Sequence, residues 1–175
     1  IVVGGESAGA NLTCGVALAH TRRSEEPEAR RIYDLNLKIK ALAPACGLLE
    51  VANPSRFDIL EPDMLQLYRD RLAVICRSYV SEAHASDPLA SPLLWLESDA
   101  QTDRDIPPTF VGVGDRDPVV SDSTRLVDVL ERRGIPSRGV VYPGAIHAFQ
   151  AFFWQPNAVQ FWTDQLEFLA QYVPG

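Results

Sequence analysis

The stretch Ile1-Val2-Val3-Gly4-Gly5-Glu6-Ser7-Ala8-Gly9 decides the fold of this chain. An apolar strand runs straight into Gly5-Glu6-Ser7-Ala8-Gly9, a G-x-S-x-G turn that holds a serine between strand and helix with its hydroxyl exposed. In so sharp a turn the two backbones nearly collide, so the positions two before and two after the serine require residues without a side chain. Gly5 and Gly9 are expected to meet that need. The amphipathic run Ala10–His20 then continues as a helix should.

Working outward, four short apolar runs read as strands: Ile1–Gly5, Leu37–Ala43, Thr109–Gly114 and Arg138–Tyr142. Little alternation within them predicts burial on both faces of a parallel sheet. Helical patterns fall between. Asp122–Arg133 carries Leu126, Val127 and Leu130 on one face and is stopped by Gly134 and Pro136. Ala158–Tyr172 is expected to bury Phe161, Trp162, Leu166 and Leu169, whereas the charged stretch Arg22–Arg31 reads as a solvated loop or helix end. Strands alternating with helices predict an α/β fold with right-handed crossovers.

The segment Cys46–Pro108 is too long for one crossover. Within it Pro62–Val80 has a helical pattern, with Met64, Leu65, Leu67, Tyr68, Leu72, Ile75 and Tyr79 at apolar positions. Either it is a large crossover packed on the sheet, or residues 47–86 form a cap-like insertion over a pocket. Long excursions in compact domains often cover active sites, and the cap is preferred.

Length and composition fit one globular core of ordinary soluble type. The formal charge of −7 argues against a nucleic-acid partner, which requires a basic face. Cys14, Cys46 and Cys76 lie far apart without metal or redox spacing, as buried thiols in a reducing, cytoplasmic compartment would. No run has the length of a membrane span and no signal peptide is visible, so stable membrane insertion is not expected. The opening on Ile1 inside an apolar strand reads as a piece of a longer protein, with an unpaired strand edge.

A serine hydroxyl becomes a useful nucleophile when a histidine takes its proton and a carboxylate orients that histidine. Among three histidines, His20 closes the first helix as a carbonyl cap or solvated ring, and His84 sits in a polar, surface-type stretch. His147 follows a strand, and parallel sheets build their sites at the carboxyl ends of strands. The third strand runs into Asp115-Arg116-Asp117-Pro118, where Asp115 and Asp117 both qualify by position. Asp99, Asp103 and Asp105 precede that strand, at its wrong end. The order Ser, Asp, His is that of α/β-hydrolases. No Gly-Lys-Ser/Thr follows the glycines, which argues against a phosphate loop.

Four motifs in this order resemble the hormone-sensitive-lipase-like esterases, the bacterial family IV lipolytic enzymes. Gly5-Glu6-Ser7-Ala8-Gly9-Ala10-Asn11 resembles their G-D-S-A-G-G-N, and Asp87-Pro88-Leu89-Ala90-Ser91-Pro92-Leu93 their D-P-x-x-S-P-L. Pro107-Pro108-Thr109-Phe110 with Asp117-Pro118 is similar to the family's P-P and D-P-L pair, and His147-Ala148-Phe149 to its H-G-F. The resemblance selects Asp117 as the acid, giving Ser7, Asp117 and His147 as catalytic residues. It implies the carboxyl-terminal half of an α/β-hydrolase: about four parallel strands, helices on both faces and a partial helical cap. It further implies cleavage of short- to medium-chain carboxylic esters, small-molecule substrates, through an acyl-enzyme with no cofactor and no metal.

Glu6, Ala10 and Ala148 depart from the family's usual Asp, Gly and Gly, and Ser121 and Asp122 read as helix-capping residues. The family's His-Gly-Gly-Gly oxyanion loop has no counterpart here, leaving the Ala8 N–H as the donor on this chain. The missing amino-terminal half of the same protein is therefore the expected partner, with a homo-oligomer left open. A peptidase or thioesterase of the same fold, or a catalytically silent fragment or binding protein on this scaffold, are the alternatives. The aromatic group Phe149, Phe152, Phe153 and Trp154 either lines a pocket or packs on the sheet.

Overall fold

Each of the four apolar runs forms a strand in the computed structural model, which describes residues 1–59, 66–98 and 100–173. The elements are β1 (Val2–Glu6), α1 (Ala8–Thr21), α2 (Pro27–Asp34), β2 (Ala41–Ala45), α3 (Gln66–Tyr79), α4 (Pro92–Glu97), β3 (Thr109–Gly114), α5 (Val120–Arg132), β4 (Ser137–Tyr142) and α6 (Pro156–Ala170). Short 3₁₀ turns lie at Pro54–Ile59, Glu82–His84 and Phe149–Ala151. The strands pair in parallel in the order β1-β2-β3-β4, with Gly4 opposite Ala43 and Val111 opposite Gly139 fixing the register.

Alternation of side chains divides the core between the two faces of the sheet. Leu42 and Val111 point toward α1, α4 and α5, where Cys14, Leu18, Leu93, Leu126 and Leu130 are buried. Phe110 points the other way and stacks its ring against Phe161 and Phe168 of α6. Each fully buried aromatic or aliphatic chain contributes about 1.5–3 kcal/mol of transfer free energy, so these two layers carry the fold.

Several expectations are corrected. Only β2 and β3 are buried along their whole length; β1 and β4 are outer strands and alternate between covered and exposed positions. Strand β2 begins at Ala41, not Leu37, because exposed Lys38 and Lys40 keep the approach solvated, and it runs on through Pro44. The stretch expected as a solvated loop or helix end runs into a separate helix, α2, which starts with Pro27 in its first turn, where proline's fixed φ suits a helix. In α6 the buried stripe is Ala158, Phe161, Gln165 and Phe168, while Trp162 and Leu166 face out. Asp164 sets that rotation: it accepts hydrogen bonds from Tyr142 Oη at 2.8 Å and from Arg138 at 2.5 Å, which turns its face toward β4.

In the long excursion, α3 buries Leu72, Ala73 and Cys76, and leaves Ile75 and Tyr79 about half exposed. Met64, Leu65 and Asp99, and the side chains of Leu67 and Tyr68, lie outside the described residues. Leu72 and Cys76 join Phe57, Val119 and Phe149 in one apolar cluster above the carboxyl ends of the strands.

Asp122 is not a helix cap. It lies in the first turn of α5, fully buried, but its side chain makes no capping bond, and its Oδ2 accepts from Leu49 N at 2.8 Å, Glu50 N at 3.2 Å and Arg56 at 2.7 Å. Burial pushes its pKa up, against the opposing pull of Arg56 and the two N–H groups. Arg125 holds Glu50 at 2.5 Å and Glu97 at 2.6 Å beside it, extending the network to α4. Removing one partner of a buried ion pair strands the other charge. Asp122→Ala is therefore expected to destabilise by about 3–5 kcal/mol in urea denaturation; a loss under about 1 kcal/mol, the usual ceiling for a surface ion pair, would mean that Arg56 is solvated.

Candidate active site

The turn after β1 places Ser7 at φ 56° and ψ −113°, a conformation L residues rarely adopt. Its N–H donates to Ala45 O at 3.0 Å, which fastens the turn to the end of β2. A Cβ on Gly5 would lie 2.3 Å from Gly9 O, so Gly5 is required by close approach of two backbones. Gly9 differs from expectation: a Cβ there meets nothing within 4 Å. The constraint falls on the strand side of the turn alone. Gly5→Ala is accordingly expected to destabilise by about 3 kcal/mol or more, since backbone must move. Gly9→Ala should cost less, and equal losses on thermal unfolding would contradict this geometry.

His147 reaches the same point from the far side of the sheet. Strand β4 ends at Tyr142, and Gly144 at φ 71° turns the chain back. Asp115 Oδ1 accepts from Gly144 N at 2.7 Å, so this aspartate holds the turn. The turn packs so closely on β3 that a Cβ on Gly114 would lie 2.1 Å from Ala145 O. Ala148 follows at φ 58°, a left-handed conformation that favours glycine.

Ser7, Asp117 and His147 meet. His147 Nε2 lies 3.0 Å from Ser7 Oγ, and Nδ1 lies 3.0 and 2.9 Å from the two oxygens of Asp117. Asp117 is fully buried and also accepts from Val119 N at 2.9 Å, which fixes its carboxylate. Burial lowers the pKa of His147, but the hydrogen bond and charge of Asp117, helped by Glu6, outweigh it and the pKa is raised above 6.5. Such an arrangement can take a proton from Ser7 and hold the imidazolium that results. Ala8 is the first residue of α1, where a backbone N–H has no acceptor within its helix.

The other candidates lie elsewhere. His84 is exposed and pairs with Asp87 at 2.9 Å, as its polar surroundings suggest. His20 is not solvated: it is 7% exposed, its Nδ1 has no partner among the described residues, and burial lowers its pKa. Asp103 accepts from Arg23 N, and Asp105 is exposed. All three cysteines are buried thiols. Cys46 Sγ lies near Asp117 and His147, with donor atoms within 4.8 Å, but burial and the charge of Asp117 push its pKa to about 11. The aromatic group divides, with Phe149 in the core and Phe153 and Trp154 exposed.

Motif residues without obvious chemistry prove to be fasteners. Asn11 Nδ2 donates to Leu48 O at 2.9 Å and Ala90 O at 3.0 Å. Ser91 Oγ accepts from Val51 N at 2.9 Å and donates to Ala85 O at 2.7 Å. With Asp122, these tie α1, the loop after β2 and the segment leading into α4 together. Among the described residues, no helix is long and apolar enough to cross a membrane.

A parallel α/β sheet that presents a strained serine, a histidine and a buried carboxylate at its strand ends defines the α/β-hydrolase class. Residues 1–151 match the model of a family with the alpha/beta hydrolase fold, and the chain belongs to that family. An esterase of Acinetobacter venetianus is 28% identical over 171 residues, which cover 96% of this chain and 51% of that protein. Among solved structures, an esterase from the bacterial hormone-sensitive lipase family matches with a TM-score of 0.72 at 22% identity, covering 98% of this chain and 53% of that one. An esterase/lipase from an uncultured bacterium gives a TM-score of 0.68 at 17% identity, with 98% and 53% covered. The fold implied by the four motifs thus agrees with the family match and with the solved structures. The chain spans about half the length of the relatives it matches.

Proposed function

We propose that this chain forms part of a serine carboxylesterase cleaving short- to medium-chain esters. Ser7 Oγ attacks the ester carbonyl while His147 Nε2 takes its proton, and Asp117 holds the imidazole through Nδ1. The tetrahedral intermediate expels the alcohol, which receives the proton from His147, leaving an acyl group on Ser7. Water then attacks the acyl-enzyme by the same route in reverse, releasing the acid. The oxyanion is stabilised by Ala8 N–H together with donors from residues outside this chain, each such donor being worth about 10²–10³ in rate.

The observation that supports this reading is the unbroken hydrogen-bonded series from Ser7 through His147 to Asp117. The relatives are named esterases, which favours esters over amides. Residues 47–86 are read as part of a cover over the acyl site, because their apolar cluster with Val119 and Phe149 adjoins the triad end of the sheet. The test is to treat the full-length protein with a fluorophosphonate and map the adduct by mass spectrometry. Modification of the peptide containing Ser7, with turnover of p-nitrophenyl butyrate above matched thioester and anilide, is the expected result. An adduct elsewhere removes the assignment of Ser7, and faster amide or thioester turnover redirects the substrate class.

A further inference from the structure

Glu6 and Gln150 are joined across 144 residues of sequence, next to the two halves of the triad. Glu6 ends β1 immediately before Ser7, and Gln150 lies three residues after His147 in the short 3₁₀ turn Phe149–Ala151. Gln150 Nε2 donates to Glu6 Oε2 at 2.6 Å and to Cys46 Sγ at 3.6 Å. From behind, Trp162 Nε1 of α6 donates to the Gln150 carbonyl at 3.0 Å.

Two features separate this contact from ordinary core packing. Gln150 is 3% exposed, yet its Oε1 has no partner among the described residues. Burying half an amide unsatisfied costs about 1–3 kcal/mol, which an apolar residue of similar size would avoid. The bond it makes instead is charge-assisted and spans the gap between elbow and base loop. The loop is also held at Gly144 by Asp115 and at Phe149 by burial, and the bond from Gln150 adds a direct tie to the nucleophile strand beside Ser7.

We propose that Gln150 is a positioning residue for His147, clamping the loop that carries this base to the nucleophile strand through the carboxylate of Glu6. The proposal rests on the esterase reading of Ser7 and His147. Loss of the clamp removes one of the ties that set Nε2 against Ser7 Oγ, and a misplacement of about 1 Å can cost about 10² in rate. The charge of Glu6 also favours the protonated form of His147.

The test uses the full-length protein with p-nitrophenyl butyrate and counts competent serines by fluorophosphonate titration. Gln150→Glu sets two carboxylates against each other, and Gln150→Met removes the bond at nearly constant volume. Both are expected to lower kcat per titrated site about 10- to 100-fold, with KM changed less than about threefold. The exchange Glu6→Gln with Gln150→Glu restores one donor and one acceptor with their direction reversed, and is expected to recover most of the lost kcat. Wild-type kcat per site in Gln150→Met, or an exchange variant no better than Gln150→Glu alone, overturns the clamp. A wild-type protein whose Ser7 takes no label overturns the esterase reading instead, so the two failures are distinct.

Discussion

Ser7→Ala is expected to lower kcat for p-nitrophenyl butyrate by roughly 10⁶-fold in the full-length protein while leaving KM nearly unchanged. On the proposed mechanism this hydroxyl forms the covalent bond, and alanine leaves no group to form it. Residual turnover reflects binding and oxyanion donors alone, which typically leave about 10³–10⁴ over water. Because the serine and histidine act as a unit, adding His147→Ala to Ser7→Ala should cost almost nothing more. A variant retaining one hundredth of wild-type kcat would exclude Ser7 as the nucleophile. Stability gives an independent check. Holding a non-glycine residue at φ 56° costs about 1–3 kcal/mol, so Ser7→Gly should unfold at higher denaturant than Ser7→Ala.

The candidate site was legible in the sequence because its three side chains stand at three strand ends. Ser7, Asp117 and His147 each follow an apolar run, and position alone narrowed the acid to Asp115 or Asp117. Geometry separates these two: Asp115 is exposed and bonds a turn N–H, whereas Asp117 is fully buried against the imidazole. The family resemblance had chosen the same residue. What stayed hidden depends on partners distant in sequence. Asp122 looks like a cap because it stands near a helix start, and only the fold brings Leu49 and Arg56 to it. Gln150 looks like a polar residue in an aromatic run until β1 delivers Glu6 beside it. Helical periodicity erred in α6 for a similar reason. It counts Trp162 and Leu166 as core by hydropathy, while a buried Asp164 held by Tyr142 and Arg138 sets which face turns inward. The strands at the two ends of the sheet, β1 and β4, are less covered than their apolar runs suggest, and the unpaired edge expected at the first strand is present in the four-stranded sheet.

Asp117→Asn is expected to reduce kcat/KM about 10⁴-fold near neutral pH and to move the acid limb of its pH profile downward. The carboxylate accepts from Nδ1–H, which keeps Nε2 free to take the serine proton; an asparagine amide can donate to Nδ1 and favour the wrong tautomer. Its charge also holds up the pKa of His147, with Glu6 adding to the effect against the opposing influence of burial. The general base must be neutral, so wild-type activity should rise with pH through an apparent pKa above 6.5, the ordinary value. In Asp117→Asn the burial of the ring is less opposed, and the limb should fall toward or below that value. The same sign governs stability: a raised folded-state pKa stabilises fully below the unfolded value, and that contribution fades as pH rises through the folded one. Wild type should therefore lose this increment above its own limb, while Asp117→Asn, lacking the carboxylate, should have lost most of it throughout. A variant whose activity falls without any shift of the limb would mean that Asp117 orients the ring sterically and contributes no charge to the base.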